Sequence, residues 1–580
     1  MKKVLLLIIL FISVCSTNAQ VELVPAEHRV YDFLRRMDVS GFLEDYNAAQ
    51  MPISRRKVGE MLREIQNSEL RMKNEKTDTI QKSEFRIKNE KTKLSKNDRM
   101  MLGDFYKEFE YEITGKNISP QISQIKADYK KRDWVNDNKY VVSYVDTNVA
   151  VWGHLTGGLY QRNGVGDSVG ARKFLAGDLG FEVRGTMFDR VGFAMSYSNG
   201  RVFVGNGEDK LFVNSYDAFF RTAESLKDDG KFFDHFKGYV RYEVPKRWLA
   251  VMVGKENVKQ GFGFVDNLFF SGLLPYPMIK LDLKYKAVGY TYSYGNIKSD
   301  SVGADFDNKM ISTHRVDVKF AKWIRGGFYE SVITNYTAFT FVHLNPFSFI
   351  TSADLNTGAN SSQKNNTFMG FDVEVKPVKN VVMQGTFLID DFSLGSIGNN
   401  DYTANDNKFG YQAGVMWNDA FTLSGLSGVV EYTRLDPFVY THRENKQQFT
   451  NWGLSMGHHL PPNSDEWAFK FDYNVMARLN VGVLLQFQRS GEGFTYDSLG
   501  NIDINYGGNI NHGERFFATI KNKFLQGDRV NRSIVGLSMR WEPVRQWGVV
   551  VKYFYKYQNL IYASRKVGDS FYYLNLFLKI

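Results

Sequence analysis

The chain has 580 residues, with 73 basic and 63 acidic side chains, a net charge of +10 and a mean hydropathy of −0.35. The charge excess is modest for this length, so composition indicates no nucleic-acid partner. The single cysteine, Cys15, lies in the first twenty residues. If cleavage follows Ala19, the mature chain has no disulfide, no thiol nucleophile and no thiolate metal site.

The N-terminal segment MKKVLLLIILFISVCSTNAQ has the pattern of a secretory signal peptide. Two lysines precede an apolar run over residues 4–14, and small residues stand at positions 17 and 19. We therefore predict a signal peptide over residues 1–19. A lipid anchor at Cys15 is disfavoured because Val14 is larger than the residue such a site requires. No later run of about 18 apolar residues occurs, so no membrane-spanning helix is predicted.

Residues 20–135 have the periodicity of helices. HRVYDFLRRM and ISRRKVGEMLREI carry apolar residues at i, i+3, i+4 and i+7, with Ser54 as the N-cap of the second. A third helix begins at Ser95, with Asp98 three residues on. We predict a small periplasmic helical bundle whose polar faces meet the periplasm or the barrel mouth. The tandem copies SELRMKNEKT and SEFRIKNEKT (68–92) predict a charged, solvated insertion between these helices.

From about Tyr140 onward, the hydrophobic period becomes two residues. Segments such as VAVWGHLTGGLY, AVGYTYSY and WGVVVKYFYKY alternate, and aromatic residues make up 15% of the chain, including 32 Tyr and 46 Phe. Transmembrane strands present only half of their side chains to lipid, so their mean hydropathy stays low. Residues 136–580 are therefore predicted to form a transmembrane antiparallel β-barrel, which gives an all-β fold preceded by the helical bundle.

Short turns and long loops differ along this region. A strand, Pro, one residue, a basic residue and a new strand recur in EVPKRWLAV (243–251), VKPVKNVVM (375–383) and EPVRQWGVV (542–550). Because Pro cannot occupy a central ladder, each is expected to mark the end of a strand. Polar stretches at 351–367, 393–408 and 490–515 predict long loops at the other end, as in outer-membrane barrels. Roughly 440 residues, at about 20–25 for each strand and connection, predict about 18 strands.

The last ten residues, FYYLNLFLKI, form an alternating strand with no polar tail. One face carries Tyr572, Leu574, Leu576, Leu578 and Ile580, and the other face is mixed. A chain end stays ordered only when it is paired. We predict that this strand closes the barrel against the first strand and presents its apolar face to lipid.

Three stretches resemble the capsule assembly protein Wzi family in its Bacteroidetes-like members. VPAEHRVYDFLRRMDVSGFLEDYNAAQMPISRRKVGEML (24–62) is similar to the family's first helices. EYTRLDPFVYTHRENKQQFTNWGLSMGHHLPPNSDEW (431–467) has its motifs in the same order, and LNPFSF (344–349) with MGFDVEVKPVKNVVMQGTFLIDDF (369–392) adds a third match. The tandem copy and the extra His459 depart from the pattern.

The resemblance implies a monomeric barrel of the Gram-negative outer membrane with a periplasmic helical bundle. It further implies a cell-surface lectin that helps to attach capsular or other surface polysaccharide, in contact with outer-membrane lipid. Polysaccharide export machinery is a further candidate partner. A general diffusion porin is the alternative, because both functions need a polar lumen.

The stretch 431–467 supplies the candidate glycan-binding residues. Hydroxyl recognition needs fixed polar groups, and the apolar faces of pyranoses need flat rings. The candidates are Glu431, Tyr432, Arg434, Tyr440, His442, Asn451, Trp452, His458, Asn463 and Asp465. The competing interpretation is an internal hydrogen-bonded network that braces a wide barrel, because inward residues are polar in any case.

An enzyme is disfavoured by the same residues. No nucleophile stands in a recognisable motif, and no HExxH-like spacing occurs. If His458 and His459 lay on a strand, they would point to opposite faces and would not share a metal simply. NSDEW (463–467) could offer oxygens to Ca²⁺, but the sequence predicts no catalytic residue, metal site or cofactor.

Overall fold

The computed structural model describes residues 20–74, 94–114, 133–221, 225–227, 231–302, 305–334, 344–347, 365–391, 407–442, 445–496, 498, 502–513 and 522–580. The predicted signal peptide, most of the tandem copy and most of the predicted loops at 351–367 and 393–408 lie outside these residues. Within them, no helix has the length and apolarity to cross a membrane.

Eighteen antiparallel strands form a closed barrel. They are β1 (Val149–Gly166), β2 (Gly170–Met187), β3 (Val191–Val204), β4 (Phe232–Glu243), β5 (Leu249–Glu256), β6 (Tyr276–Tyr285), β7 (Val288–Val302), β8 (Asp305–Ala321), β9 (Ile324–Thr334), β10 (Asn365–Val378), β11 (Val381–Asp391), β12 (Lys408–Asn418), β13 (Leu426–Leu435), β14 (Ser464–Met476), β15 (Leu479–Glu492), β16 (Asp528–Val544), β17 (Trp547–Leu560) and β18 (Arg565–Lys579). β18 pairs with β1 from Thr156↔Lys579 to Gly166↔Asp569. The fold class, the strand number and the closing role of the last strand are thus confirmed.

The outward face of β18 is the apolar one. Tyr572, Leu576 and Leu578 are exposed on the barrel wall. On the other face, the Asn575 side chain accepts a hydrogen bond from Arg162, and the Lys579 ammonium lies 2.8 Å from Glu182. The alternation in FYYLNLFLKI therefore separates an apolar outer wall from a polar lumen.

The two ends of the barrel differ in their connections. Brief turns at one end, the short-turn end, join β2–β3, β4–β5, β6–β7, β8–β9, β10–β11, β12–β13, β14–β15 and β16–β17. The long connections all leave the opposite end, the long-loop end; they are 205–231, 257–275, 335–364, 392–407, 436–463 and 493–527. All three proline turns lie at the short-turn end. Pro245 begins a 3-10 turn (Pro245–Arg247). Pro377 and Pro543 lie in register shifts, so β10 and β16 continue one residue beyond them.

Six helices accompany the barrel in the described part of the chain. They are α1 (Val30–Val39), α2 (Arg55–Asn74), α3 (Lys96–Glu108), α4 (Glu110–Thr114), α5 (Gly207–Tyr216) and α6 (Ala218–Arg221). The side chain of Ser95 accepts a hydrogen bond from Asp98 N, which confirms the predicted cap of α3. The apolar faces of α1–α3 pack together around Phe33, Leu62 and Phe105.

The segment 20–114 meets the barrel at its short-turn end, through charged and polar contacts. Glu22 accepts hydrogen bonds from Arg184 and Thr186 of β2. On the opposite wall, Arg35 of α1 lies 2.6 Å from Glu374 of β10. The polar faces of the helices therefore bind the inner wall of the barrel, which is one of the two placements that the sequence analysis allowed.

Short strands pair outside the barrel ring. A three-stranded sheet is formed by Gln50–Met51, Lys259–Gln260 and Phe270–Ser271. Val142–Val145 pairs antiparallel with the start of β1, and Ser225–Lys227 pairs antiparallel with the start of β4. There are also two hairpins, Thr450–Asn451 with Leu454–Ser455 and Phe494–Tyr496 with Ile502–Asn505. The three-stranded sheet joins the N-terminal segment to the loop between β5 and β6.

An aromatic core lies inside the barrel at the long-loop end. Phe269 and Phe270 of loop 257–275 pack with Tyr440 and Phe449 of loop 436–463, and Tyr329 of β9 stacks on Phe269 at 4.1 Å. Inward residues of β4 to β11 and of β13 complete this cluster, which we call the loop core. The two loops therefore fold into the lumen instead of projecting away from it.

Candidate functional site

The carboxylate of Glu431 holds loop 257–275 to the barrel wall. It accepts hydrogen bonds from Phe264 N at 2.7 Å, Val265 N at 3.0 Å and the Gln384 side chain at 3.0 Å. The side chain is buried, and three donors occupy its oxygens. This residue braces the interior of the barrel, in agreement with the network interpretation.

Tyr432, Arg434 and Asp465 lie on the outer face instead. Because side chains alternate along β13, Tyr432 points away from the lumen, where its hydroxyl donates to Asp465 at 3.2 Å. Asp465 also binds Arg489 of the next strand, and Arg434 lies 2.8 Å from Asp436. The predicted residues thus do not form one site, and the period of two divides them between the two faces.

Asn463 and Tyr440 are interior anchors. Asn463 donates to the carbonyls of Gly491, Tyr506 and Gln526 and accepts from Leu525 N, which holds the loop between β15 and β16. Tyr440 is fully buried in the loop core, and its hydroxyl donates to Leu268 O. Neither side chain reaches solvent, so neither can contact a glycan directly.

His458 and His459 lie in loop 436–463 and not on a strand, contrary to the geometry considered from the sequence. Their rings stack at 4.3 Å, and both approach Asp266 of loop 257–275. Burial alone would lower the pKa of His459, but Glu466 and Asp266 hold it well above its usual range. Burial and the neighbouring His459 lower the pKa of His458 to about 4. The surroundings therefore shift the pKa values of the two rings in opposite directions.

Trp452 occupies the tip of a hairpin at the long-loop end. Thr450 pairs with Ser455 and Asn451 with Leu454, which leaves Trp452 and Gly453 as a two-residue turn with φ of 57° and 71°. Such turns favour Asn and Gly, because a bulky residue is strained at positive φ. A positive φ is energetically unfavourable for tryptophan, and backbone strain of this kind concentrates at functional sites.

Two cations contact Trp452, whose ring is partly exposed. The Lys298 ammonium lies 5.6 Å from the ring centroid, and Arg221 of α6 donates to the Trp452 carbonyl at 2.9 Å. Asn451 is buried and accepts from Lys298 N at 3.0 Å, which fixes the hairpin against β7. The hairpin thus combines a flat ring with positive charge. We call Trp452, Lys298 and Arg221 the hairpin platform.

His442 is the last of the ten candidates. Its side chain is partly exposed, and its backbone lies against Gly513 of the loop between β15 and β16. Of the ten, Glu431, Tyr440, Asn451, His458, Asn463 and Asp465 are buried, and Tyr432, Arg434, His442 and Trp452 are partly accessible. Sequence reasoning missed Arg221, Lys298 and Asp266, which come from other loops and strands and carry no motif.

A polar cavity of about 290 Å³ lies deeper in the lumen, between α1 and the barrel wall. Its basic lining residues are Arg29, Arg35, Arg36, Lys259, Lys470, Arg478 and Arg540, and its acidic ones are Glu27, Asp32 and Asp472. Most of these cations are paired with carboxylates in or beside the cavity, such as Arg35 with Glu374 and Lys470 with Asp472, so the cavity is polar and largely charge-balanced.

No family model matches this sequence, and no curated protein matches it. Among solved structures, Wzi from Escherichia coli is similar with a TM-score of 0.53 and 11% identity, over 96% of this chain and 99% of that one; it is described as an outer-membrane protein involved in group 1 capsule assembly and a carbohydrate-binding β-barrel. OccAB2 from Acinetobacter baumannii has a TM-score of 0.43 and 12% identity over 74% of this chain and 98% of its own. OprD from Pseudomonas aeruginosa has a TM-score of 0.41 and 9% identity over 74% of this chain and 95% of its own. At these identities, the likeness to Wzi establishes the fold, a closed β-barrel with helices at its N-terminus.

Proposed function

We propose that this protein is a non-catalytic outer-membrane barrel whose long-loop end binds exported capsular or other surface polysaccharide. In outer-membrane barrels the short turns face the periplasm and the long loops face outward, so α1–α4 would lie at the periplasmic mouth of the barrel. The likeness to a carbohydrate-binding barrel extends over 96% of this chain and therefore includes the helical segment. The exposed apolar side chains of the wall would contact lipid, and one barrel works as a monomer.

The occupied interior carries the proposal. The helical segment contacts the inner wall at the short-turn end, and the loop core fills the barrel between β4 and β13 at the other. A general porin needs a water-filled lumen, whereas here the aromatic side chains of the loop core occupy the part of the lumen beside β4 to β13. Folded, buried loops instead offer a fixed surface, which is what recognition of a polymer requires.

The hairpin platform supplies the chemistry for this recognition. An aromatic ring covers the apolar face of a sugar, and the charges of Lys298 and Arg221 favour an acidic sugar. The strained turn holds Trp452 in place before the ligand arrives, which lowers the entropy lost on binding. Tyr432, Arg434 and His442 remain predictions as further contacts. Of the six buried candidates, Asp465 links neighbouring strands on the outer face, and the other five lie in or against the long loops.

A diffusion porin is the alternative, and the polar cavity beside α1 is the observation that favours it. Displacement of the helical segment would join this cavity to the periplasm and create a path for small polar solutes. Conductance therefore separates the two functions.

The test uses the purified full-length protein in a planar bilayer and in a pull-down with the host's own surface polysaccharide. We expect glycan retention with negligible conductance, and retention at least tenfold weaker in Trp452→Ala. Trp323→Ala is the matched control, because Trp323 is an exposed tryptophan in the β8–β9 turn at the opposite end. Steady conductance steps without retention would replace the proposal with the porin function.

A further inference from the structure

Three potential metal ligands converge where loops 257–275 and 436–463 meet. Among the described residues, Asp266, His458 and His459 are brought together so that one ligand atom of each lies within 4.8 Å of the others. His459 Nδ1 and Asp266 Oδ2 are 3.1 Å apart. Two ligands of a tetrahedral ion with bonds of about 2.0 Å are separated by about 3.3 Å. The pair already has the spacing of two ligands of one ion.

The buried ring of His458 is the second, independent observation. It is fully buried, and its Nε2 has no hydrogen-bond partner in the described part of the chain. A buried polar atom without a partner costs about 1–3 kcal/mol, so natural proteins keep such atoms for a reason. The Nδ1 atom accepts only a long contact from Leu460 N, at 3.2 Å.

The surroundings of His459 resemble the outer shell of a metal site. Its Nε2 lies 3.1 Å from Glu466 Oε2, and Gln486 and Gln488 donate to the same carboxylate at 2.9 and 2.7 Å. Histidine ligands usually donate their second ring N–H to a carboxylate, which fixes the ring and makes the ligating nitrogen more basic. Two carboxylates, Asp266 and Glu466, would also balance the charge of a divalent ion.

We propose that Asp266, His458 and His459 form a binding site for a divalent transition-metal ion of the Zn²⁺ class. Two imidazoles and one carboxylate are a nitrogen and oxygen set that suits Zn²⁺ and not Ca²⁺. The ion replaces the proton between His459 Nδ1 and Asp266, and this proton goes to solvent. Coordination through His458 Nε2 moves the ring proton to Nδ1, which exchanges the weak Leu460 contact for a coordinate bond.

The site would clamp two loops that are far apart in sequence. Asp266 belongs to loop 257–275, which Glu431 also holds, and the histidines belong to loop 436–463, which carries the hairpin platform. A bound ion stabilises the folded loops by an amount that grows with its free concentration. The metal would thus fix the outer surface of the barrel, and the proposal is independent of which ligand that surface binds.

The experiment is zinc binding to the full-length protein, purified without a polyhistidine tag and treated with a chelator. We expect isothermal titration calorimetry to give one Zn²⁺ per chain. His458→Ala and Asp266→Asn should each weaken binding more than 100-fold, and Glu466→Gln by about 10–100-fold. His442→Ala is the control, because this histidine lies on the same loop outside the cluster, and it should bind zinc like the unaltered protein.

Cobalt substitution in the unaltered protein gives a second readout that does not depend on the folding of a variant. A tetrahedral site with nitrogen and oxygen ligands should give intense visible absorption at one equivalent of Co²⁺, which Zn²⁺ then displaces. Absence of stoichiometric binding by both methods would overturn the proposal. Zinc affinity that His458→Ala and Asp266→Asn leave unchanged would overturn it as well.

Discussion

Asp104 is the residue whose removal should most strongly loosen the helical segment from the barrel. This carboxylate of α3 is 9% exposed and contacts three guanidinium groups. Arg29 precedes α1, Arg478 lies in the β14–β15 turn at 3.4 Å, and Arg545 lies in the β16–β17 turn at 2.5 Å. One charge therefore joins two helices to two hairpins of the barrel.

The magnitude follows from the burial of these partners. Removing one member of a buried ion pair costs about 3–5 kcal/mol, because the other charge remains buried without compensation. Glu108 lies 3.9 Å from both Arg29 and Arg545 and offsets part of this cost. We therefore expect about 3 kcal/mol for Asp104→Ala. At about 1.4 kcal/mol for each factor of ten, the undocked population should rise roughly a hundredfold.

Thiol labelling measures that population directly. The chain's single cysteine lies in the predicted signal peptide, so Ala477→Cys in the β14–β15 turn introduces a unique thiol in the mature protein. Ala477 packs against the apolar core of the helices, and its carbonyl accepts a hydrogen bond from Arg29. Ala477 is only partly buried in the docked state, so labelling there has a basal rate, and the part of the rate that depends on undocking should rise roughly a hundredfold in Asp104→Ala.

Asp32→Ala is the control for the loss of a negative charge. Asp32 lies on α1 and is exposed to the polar cavity. Its removal should change the labelling rate less than about threefold, as expected for an exposed charge. Equal labelling rates in Asp104→Ala and in the unaltered protein would refute the reasoning, because the three arginines would then not depend on this carboxylate.

Further expectations concern pH, the loops and the outer wall. Burial alone would raise the pKa of Glu108, but His28 and two arginines hold it well below its usual range. Its stabilising effect is therefore complete above about pH 4.5 and is lost as pH falls toward the depressed value. Lowering the pH should thus reduce the urea concentration that undocks the helices less in Glu108→Gln than in the unaltered protein. Asn463→Ala should leave buried carbonyls unpaired at about 1–3 kcal/mol each, and proteases should cleave the loop between β15 and β16 faster. Leu537→Lys, near the middle of β16, should cost about 2–4 kcal/mol in bilayer refolding, and Leu578→Lys, at the end of β18, about 0–1 kcal/mol.

The barrel could be predicted from the sequence because its signal is local and repeated. Alternation along each strand, proline at the turns and the long polar loops all depend on neighbouring residues, and eighteen repetitions reinforce one another. The cap at Ser95 and the apolar face of the last strand follow from the same short-range rules. The exact ends of β10 and β16 were missed, because a bulge admits a proline that a regular ladder would exclude.

The candidate site was predicted less well, because its members come together through loops. The sequence places Glu431 beside Tyr432, but the strand sends them to opposite faces. On a strand, the side chains of His458 and His459 would point to opposite faces, whereas in the loop their rings stack on each other. Partners such as Asp266 lie almost two hundred residues away. Such contacts depend on how loops fill the lumen, which no local pattern encodes.

The wide barrel also changes how its polar residues should be interpreted. An interior of this size must be braced, so a buried carboxylate or amide with every hydrogen bond satisfied, such as Glu431 or Asn463, is explained by stability alone. Function is better sought at residues that destabilise the fold, such as those with a strained backbone or a buried polar atom without a partner. Loop 436–463 carries several such residues, and two of them coincide with the proposed binding sites. Trp452 has a positive φ that glycine would adopt freely, as Phe438 and Tyr440 of the same loop also have, and the buried Nε2 of His458 has no partner in the described chain. A ligand at either place would supply the missing compensation, so Trp452→Gly and His458→Leu should each leave the barrel intact or stabilise it while glycan or zinc binding is lost. Destabilisation by both variants would show instead that these residues serve the fold.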